Sequence, residues 1–294
     1  MTLTTELRPP TGPLGIVQQL GTTSTPPTMS LCTMVTDWEA YERCRASFVD
    51  RGFDPDSCEF LVVDNTDGNR ADAYQSTNDF LQVATGEYIV LHHQDVRLLE
   101  DGRAELESKL AGLTRLDPDW GVCGNAGAQR NGWPVFYLSH PVREKHVQGG
   151  PFPARVMSLD ENFLVVRRVA NLAVSRDLSG FHHYGPDLCT IADVLGWNVY
   201  VIDFFLRHDS GGTMNHVYDA SRRAITAKYQ RAFRSGWVEL VTNAPFYASG
   251  SRLRGRAAPV LRNVRKLIGS VPRPRQFDDP DVRYPEQAVR GGGR

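Results

Sequence analysis

The chain has 294 residues, of which 41% are hydrophobic and 23% are charged, a composition typical of a globular protein with a sizeable core. The formal net charge is −1, so the overall charge indicates no particular class of partner. The five cysteines are scattered without a C-x-x-C pair, which argues against a structural zinc site and favours reduced thiols in a cytosolic protein. Because the N-terminus lacks a basic start before an apolar run, and no stretch reaches about 18 apolar residues, we expect neither a secretory signal nor a membrane span.

Residues 1–28 are rich in Thr, Pro and Gly and predict a flexible N-terminal segment. Short apolar runs then alternate with segments of helical spacing. We expect strands at 30–35, 59–64 and 88–92, and helices at 38–48 and 72–84. This alternation predicts an α/β fold with a Rossmann-like, mostly parallel sheet flanked by helices.

The pattern is less regular after residue 97. Further helices are expected at 98–116, 186–195 and 218–240, and further strands near 121–124, 164–166 and 199–202. Residues 125–155 carry many Gly, Pro and aromatic residues and predict loops with short strands.

The C-terminal part is strongly basic. Residues 251–294 contain ten Arg and one Lys against four acidic residues, an excess of +7 that leaves about −8 for the rest of the chain. Residues 259–268 predict a short basic amphipathic helix, and 270–294 predict a disordered tail. We therefore divide the chain into a flexible segment (1–28), an α/β domain (29–240) and a basic helical or disordered extension (241–294).

The basic extension has three interpretations. It can be a solvated tail, or it can bind an anionic membrane surface where a lipid-linked acceptor would reside. Nucleic acid is the least favoured partner, because aromatic residues do not interleave with the basic ones.

Polar side chains follow each of the first three predicted strands. Thr36 and Asp37 follow the first, Asp64 and Asp67 close the second, and Asp95 follows the third. Ligands of open α/β sheets bind at the carboxyl ends of the strands, and carboxylates there can hold a divalent cation against a diphosphate. The alternative is that these residues cap helices or form turns, which suits Asp67 best.

Several segments resemble the GT-A-fold family-2 glycosyltransferases. Residues 61–67 and 84–96 are similar to the opening half of that family, and His93 to Val96 matches a subgroup that reads H-Q-D-V in place of the acidic D-x-D motif. Residues 158–168 resemble a D-G-x-F-x-x-x-R-R strand, 181–189 resemble F-H-x-Y-D-x-D-L-C, and 196–212 resemble G-x-x-V-x-V-I followed by H-x-S-G-G.

This resemblance implies a donor site and a metal site. The residues implied to bind the nucleotide-sugar donor are Thr36, Asp64, Asp67, Asn78, His93 and Asp95. The residues implied to hold Mn²⁺ or Mg²⁺ are Asp95, His208 and His93. His93 replaces the first acid of the motif, and imidazole is a poorer ligand for Mg²⁺ than for Mn²⁺. The replacement therefore affects which metal the site can hold and whether the protein depends on one. Gly211 and Gly212 would let a loop close on the diphosphate.

The resemblance also implies a catalytic base and acceptor contacts. The first acid of Y-D-x-D falls on Gly185, which leaves Asp187, His182 and His183 as candidate bases. The alternatives are a helix N-terminal charge for Asp187 and structural or exposed histidines. Asp160 and Trp133 are candidate acceptor contacts, and their alternatives are a turn and a loop anchor.

The predicted function is therefore an inverting glycosyl transfer from a nucleotide sugar, with UDP-sugar favoured, to a glycan or lipid-linked hydroxyl. Such a role is typical of cell envelope polysaccharide synthesis, in the cytoplasm or at the inner face of the membrane. A catalytically silent GT-A-like binding protein is the alternative. A sugar nucleotidyltransferase is disfavoured, because no Gly-rich phosphate loop follows the first strand.

Overall fold

The computed structural model describes residues 16–23, 26–141, 143–210, 215–241 and 245–267, with 143–146 and 262–267 described by their backbone alone. Three predictions fall outside these residues, namely those on 1–15, on Gly211 and Gly212, and on the tail from 270. The chain divides into two compact units, 1–227 and 228–294.

The described residues form six α-helices. They are α1 (Trp38–Asp50), α2 (Ala73–Val83), α3 (Arg103–Leu116), α4 (Tyr184–Val194), α5 (His216–Ala232) and α6 (Arg252–Leu267). A short 3-10 helix covers Arg168–Ala170.

Sixteen short strands accompany them in the described part of the chain. They are β1 (Val17–Leu20), β2 (Met29–Val35), β3 (Cys58–Asp64), β4 (Tyr88–His92), β5 (Val96–Arg97), β6 (Trp120–Gly124), β7 (Ala126–Ala128), β8 (Pro134–His140), β9 (Arg143–Gln148), β10 (Ala154–Arg155), β11 (Ser158–Leu159), β12 (Phe163–Arg167), β13 (Asn198–Val201), β14 (Leu206–His208), β15 (Gly236–Val238) and β16 (Phe246–Ala248).

A large sheet of eight strands forms the centre of the first unit, in the order β1-β3-β2-β4-β12-β6-β13-β10. Its side chains alternate between two buried clusters. One cluster packs against α2 and α4 through Phe80 and Leu188, and the other packs against α1 and α3 through Phe48 and Leu110. Helices therefore cover both faces of the sheet, and the predicted α/β class is confirmed.

The large sheet is mixed, whereas the sequence predicts a mostly parallel one. Strand β2 runs parallel to β3 and β4, and β6 runs parallel to β13. Strand β12 lies between β4 and β6 and is antiparallel to both. After β6 the chain forms β7, β8 and β11 in another sheet and then enters β12 directly, without the helical crossover that a parallel neighbour needs.

The second sheet of the first unit has the order β11-β7-β8-β14-β5, with β9 paired to β8. Strand β5 comes shortly after β4, β7 after β6, and β14 after β13. Chain segments that leave the carboxyl ends of these large-sheet strands are thus paired with one another. This pairing brings residues that are far apart in sequence to one edge of the large sheet.

Strand β1 lies inside the segment that the sequence predicts to be flexible. It pairs antiparallel with β3, from Val17 opposite Val63 to Leu20 opposite Phe60. Val17 and Leu20 are buried, so this short stretch gains apolar burial as well as backbone pairing. Four residues are too few to show a clear periodicity, which is why the sequence does not reveal the strand.

The second unit contains a hairpin of β15 and β16 and the helix α6. The predicted amphipathic helix is longer than expected, since it begins at Arg252 and includes Pro259. No helix in the described ranges combines the length and the apolar character needed to cross a bilayer. All five cysteines of the chain are free and buried.

Candidate functional site

The carboxyl ends of β2 and β4 are tied together by the side chain of Gln94. Its Oε1 accepts hydrogen bonds from the backbone N–H groups of Thr36 (2.7 Å) and Asp37 (3.0 Å). Its Nε2 donates to the hydroxyl of Thr36 (2.7 Å). Gln94 therefore fixes Thr36, a predicted donor-binding residue, at a set position beside the strand that carries His93 and Asp95.

The acids near β2 and β3 have defined local roles. Asp37 is the N-cap of α1, and its Oδ1 accepts from the N–H groups of Glu39 and Ala40. Asp64 accepts from the backbone N–H (3.0 Å) and the hydroxyl (2.6 Å) of Thr66. Asp67 is exposed. The side chain of Asp64 is partly exposed, and a side-chain hydrogen bond from Trp38 also reaches its carboxylate.

Three predicted metal ligands converge at the edge between the two sheets. Nδ1 of His93 lies 3.3 Å from Nε2 of His208, and that nitrogen lies 3.4 Å from Oδ1 of Asp95. All three ligand atoms lie within 4.8 Å of one another. We call His93, Asp95 and His208 the HDH triad.

The charge states of Asp95 and His93 suit a cation. Burial acts to raise the pKa of Asp95, but hydrogen bonds from His208 and Ser210 outweigh it and hold this pKa well below its usual range. Burial, assisted by the neighbouring His208, lowers the pKa of His93. Near neutral pH Asp95 is therefore an anion and His93 is neutral, the forms in which these side chains ligate metals.

Asp209 holds the β14 end of the triad in place. Its carboxylate receives two hydrogen bonds from Arg97, at 2.6 and 2.9 Å, and one from Arg207 at 2.5 Å. Its backbone N–H donates to the carbonyl of Asp95 at 3.0 Å. These contacts fasten β14 to β5, so His208 is presented to Asp95 by a rigid pair of strands.

Asn78, a predicted donor-binding residue, has a bracing role in this structure. Its Nδ2 donates to the carbonyl of Val174 (3.1 Å), and its Oδ1 accepts from the N–H of Val174 (2.8 Å). The side chain thereby connects α2 with the segment that leads to α4. Donor binding by Asn78 stays a prediction.

The three predicted bases differ in their surroundings. Asp187 is fully buried, and its two oxygens accept from the backbone N–H (2.7 Å) and the hydroxyl (2.8 Å) of Ser175. His183 is buried, with Nδ1 3.1 Å from the Ser221 hydroxyl and its ring 4.4 Å from that of Tyr218. His182 is partly exposed. Asp187 and His183 are thus both engaged with neighbouring protein groups.

The predicted acceptor contacts lie in different places. Asp160 is exposed on the loop between β11 and β12, and its Oδ1 accepts from the backbone N–H (2.9 Å) and the side-chain amide (2.6 Å) of Asn162. Its charge acts on His93, so the structure brings it near the HDH triad. Trp133 is 56% exposed on the turn between β7 and β8.

Two residues next to the triad are absent from the sequence predictions. The hydroxyl of Tyr184 lies 3.5 Å from Nε2 of His93 and 3.4 Å from the carbonyl of Glu161. The carboxylate of Glu161 accepts from the N–H of Gly185 at 3.2 Å. One signal in the sequence is the glycine at 185, where the resemblance places an acid.

A curated relative shares much of this chain. The protein "ATP synthase subunits region ORF 6" of Fuscovulum blasticum is 35% identical over 221 residues, which cover 72% of this chain and 88% of that protein. The chain belongs to the same family as this protein. The relative's name gives a region and a reading frame and states no activity. No protein-family model matches the chain.

Solved structures show partial similarity. GalNAc-T7, solved with UDP, GalNAc and Mn²⁺, is 9% identical with a TM-score of 0.45, and the match covers 63% of this chain and 44% of that one. The chain thus spans less than half of GalNAc-T7. Mannosyltransferase PcManGT from Pyrobaculum calidifontis, solved with GDP-Man and Mn²⁺, is 14% identical with a TM-score of 0.46, covering 80% and 69%.

Proposed function

We propose that this protein is a GT-A-like glycosyltransferase of the H-Q-D-V type, which moves a sugar from a nucleoside diphosphate donor to a hydroxyl. The observation that carries the proposal is the convergence of His93, Asp95 and His208 at the carboxyl edge of the large sheet. The three residues come from two strand ends separated by more than a hundred positions. Ligands of α/β sheets bind at this edge, so the triad stands where a donor diphosphate would lie.

The donor set fits a divalent cation with nitrogen affinity. Ligand atoms around a six-coordinate ion with metal–ligand distances of about 2.1 Å lie roughly 3 Å apart, close to the 3.3 and 3.4 Å separations within the triad. Two imidazoles and one carboxylate suit Mn²⁺ better than Mg²⁺. When bound, Mn²⁺ would supply positive charge opposite the departing diphosphate. The Tyr184 hydroxyl, 3.5 Å from Nε2 of His93, would help to hold that ring in position while Nδ1 meets the metal.

The remaining donor contacts are proposed at the neighbouring strand ends. Thr36 and Asp64 flank the first two parallel strands, and Asp67 lies exposed on the turn after the second. A carboxylate at these positions can accept from a base or a ribose hydroxyl. UDP is the favoured nucleotide, on the resemblance described above.

The reaction proposed is a single in-line displacement. The acceptor oxygen attacks the anomeric carbon, the bond to the diphosphate breaks with its electron pair, and a side chain removes the acceptor proton. This course inverts the anomeric configuration. Asp160, exposed near His93, is the proposed acceptor contact, and the acceptor is a glycan or a lipid-linked hydroxyl.

Nucleotide binding tests the proposal directly. We expect one of UDP, GDP or dTDP, at about 100 times its Kd and with Mn²⁺ present, to stabilise the protein by about 2.7 kcal/mol. For a unit of this size the melting temperature should rise by roughly 5–10 °C. The Mn²⁺-dependent part of this shift should disappear in Asp95→Asn, because the variant lacks the anionic ligand.

The matched control is Asp193→Asn, which changes an exposed carboxylate on α4 and should keep the full shift. The proposal is wrong if all three nucleotides leave the melting curve unchanged with Mn²⁺. A silent binding protein is the second candidate, since Asp187 and His183 are engaged with Ser175 and Ser221. It predicts the thermal shift without any release of nucleoside diphosphate from a nucleotide sugar.

A further inference from the structure

Gly185 and Glu161 are in close contact at the start of α4. A Cβ atom at residue 185 would lie 3.1 Å from Cγ of Glu161 and 2.8 Å from the carbonyl oxygen of Leu159. A side chain at 185 would therefore collide with the Leu159 backbone and crowd the side chain of Glu161. With glycine at 185, the Glu161 carboxylate lies against the first turn of α4, where Oε1 accepts from the Gly185 N–H.

The position of Glu161 relative to the HDH triad follows from Tyr184. The Tyr184 hydroxyl lies between the His93 ring, at 3.5 Å, and the carbonyl of Glu161, at 3.4 Å. In addition, the backbone N–H of His93 donates to the carbonyl of Asn162, the residue after Glu161. The loop that carries Glu161 is thus hydrogen-bonded to the strand end that carries the metal ligands.

The side chain of Glu161 has the electrostatic surroundings of a base. The residue as a whole is partly exposed. Burial raises the pKa of Glu161 to about 8, with a further rise from the charge of Asp160. Backbone hydrogen bonds from Gly185, His183 and Glu161 itself act in the opposite direction and lower this pKa. The charge of Glu161 in turn raises the pKa of Tyr184 and Cys189 of α4. A carboxylate with a pKa near the working pH removes a proton more effectively than an ordinary one.

We propose that the carboxylate of Glu161 is the general base of the transfer, acting from the place that an acid at 185 would otherwise occupy. This inference rests on the proposed glycosyl transfer. The acceptor O–H bond breaks and its proton moves to Glu161. The acceptor oxygen bonds to the anomeric carbon, and the nucleoside diphosphate leaves with the electron pair of its C–O bond.

The two departures from the motifs that the chain resembles support this assignment. The D-G-x-F pattern has a glycine where Glu161 stands, and the Y-D-x-D pattern has an acid where Gly185 stands. The chain therefore carries the acid and the glycine at exchanged positions, and the structure places these two residues against each other.

Glu161→Gln tests the assignment, because Gln keeps the shape and can still accept from Gly185 but cannot take a proton. The assay follows nucleoside diphosphate release from UDP-glucose and GDP-mannose with Mn²⁺, with either water or azide as the acceptor. With water we expect release to fall by about 10²–10³-fold. Azide has no proton to lose, so with azide the variant should release nucleoside diphosphate at the wild-type rate. Its Kd for UDP and GDP should stay within about twofold of the wild-type value.

The control is Glu105→Gln, since Glu105 also accepts from a glycine N–H, that of Gly102 at 2.8 Å, but lies at the start of α3. It should leave release unchanged. Glu161→Asp is the second variant, and it should retain part of the water reaction. In the wild type the rate with water should rise as pH increases through about 8. Glu161→Gln should lose that rise.

Each result decides between the possibilities. If Glu161→Gln releases nucleoside diphosphate into water as fast as the wild type does, Glu161 is not the base, and the proposed transfer itself is unaffected. A variant that is slow with azide as well, or that no longer binds the nucleotide, shows that Glu161 caps α4 or shapes the site and is not the base. If the wild type binds UDP or GDP but releases nothing from either sugar nucleotide, the transfer itself is wrong and the assignment fails with it.

Discussion

His92 immediately precedes the HDH triad and is buried in the neutral form. Its ring stacks on Phe48 at 4.8 Å, with Nδ1 3.0 Å from the carbonyl of His93 and Nε2 2.9 Å from the hydroxyl of Thr33. With its proton on Nδ1, the ring donates to the carbonyl and accepts from the hydroxyl, so both nitrogens are satisfied without a charge. Burial lowers the pKa of His92 to about 4.

Stability should therefore fall in mild acid. An unfolded histidine has a pKa of about 6.5, so between about pH 6.5 and 4 the unfolded chain binds a proton that the native chain excludes. The contribution of neutral His92 is complete above pH 6.5 and is lost as pH decreases, by roughly 3 kcal/mol at pH 4. Urea denaturation at about pH 7.5 and about pH 4.5 measures this difference.

His92→Leu should be less stable than the wild type near neutral pH, because it leaves the Thr33 hydroxyl without its ring partner, but it should lose the part of this pH dependence that His92 contributes. His216→Asn, which changes an exposed histidine at the start of α5, should keep the dependence. If His92→Leu loses as much stability in acid as the wild type does, other groups titrate in this range and our account of His92 is wrong.

At the scale of elements, Gly86 sets the approach of β4 to β2. A Cβ atom there would lie 2.7 Å from the backbone nitrogen of Ser30 and 2.8 Å from the carbonyl carbon of Met29. The Gly86 N–H donates to the Ser30 hydroxyl at 2.9 Å, and that hydroxyl donates to the buried carboxylate of Glu59. The connection from α2 into β4 therefore depends on a backbone that passes close to β2.

Gly86→Ala should lower the free energy of unfolding by about 1–3 kcal/mol, since backbone atoms of β2 would have to move. Gly112→Ala in α3 is the control with the opposite sign. A Cβ at Gly112 finds no atom closer than 3.8 Å, and alanine favours the helix by about 1 kcal/mol. Urea denaturation of both variants measures the changes, and equal stabilities for wild type and Gly86→Ala would contradict the proposed close packing.

The first half of the fold is readable from the sequence because each element there has a strong local pattern. The apolar run of β2 and the helical spacing of Tyr41, Cys44 and Phe48 predict β2 and α1 almost to their ends. Four of the six strands in the second sheet have only two or three residues, which are too few to show a period. The direction of β12 depends on the path of the preceding thirty residues, which no local pattern records.

In the candidate site, too, some residue positions can be predicted from the sequence and some contacts cannot. Asp95 follows a clear strand, so its position at the carboxyl edge is predictable, and the motif order places His208 in the same site. The contacts of Gln94 with Thr36 and of Glu161 with Gly185 join segments that are adjacent only after the strands have paired. The hydrogen bond from the Ser175 hydroxyl to Asp187 likewise cannot be predicted from the sequence.

At the scale of the whole molecule, α6 of the second unit carries exposed apolar and basic side chains together. Leu253, Val260 and Leu261 are 80%, 63% and 60% exposed, and Arg252 and Arg254 are exposed as well. Such a helix can lie in the interface of an anionic bilayer, with its apolar side chains inserted and its basic ones near the headgroups.

We expect the intact protein to sediment with vesicles that contain phosphatidylserine and to stay in solution with pure phosphatidylcholine, because each basic side chain near an anionic surface contributes about 1 kcal/mol. Added salt should weaken the binding by screening these charges. Replacing Leu253, Val260 and Leu261 by Ser should remove it. The control replaces the exposed Leu116 and Val169 of the first unit by Ser and should bind normally. Equal sedimentation of all three proteins would show that α6 does not insert, whereas loss in the α6 variant alone assigns the membrane binding to these three apolar side chains.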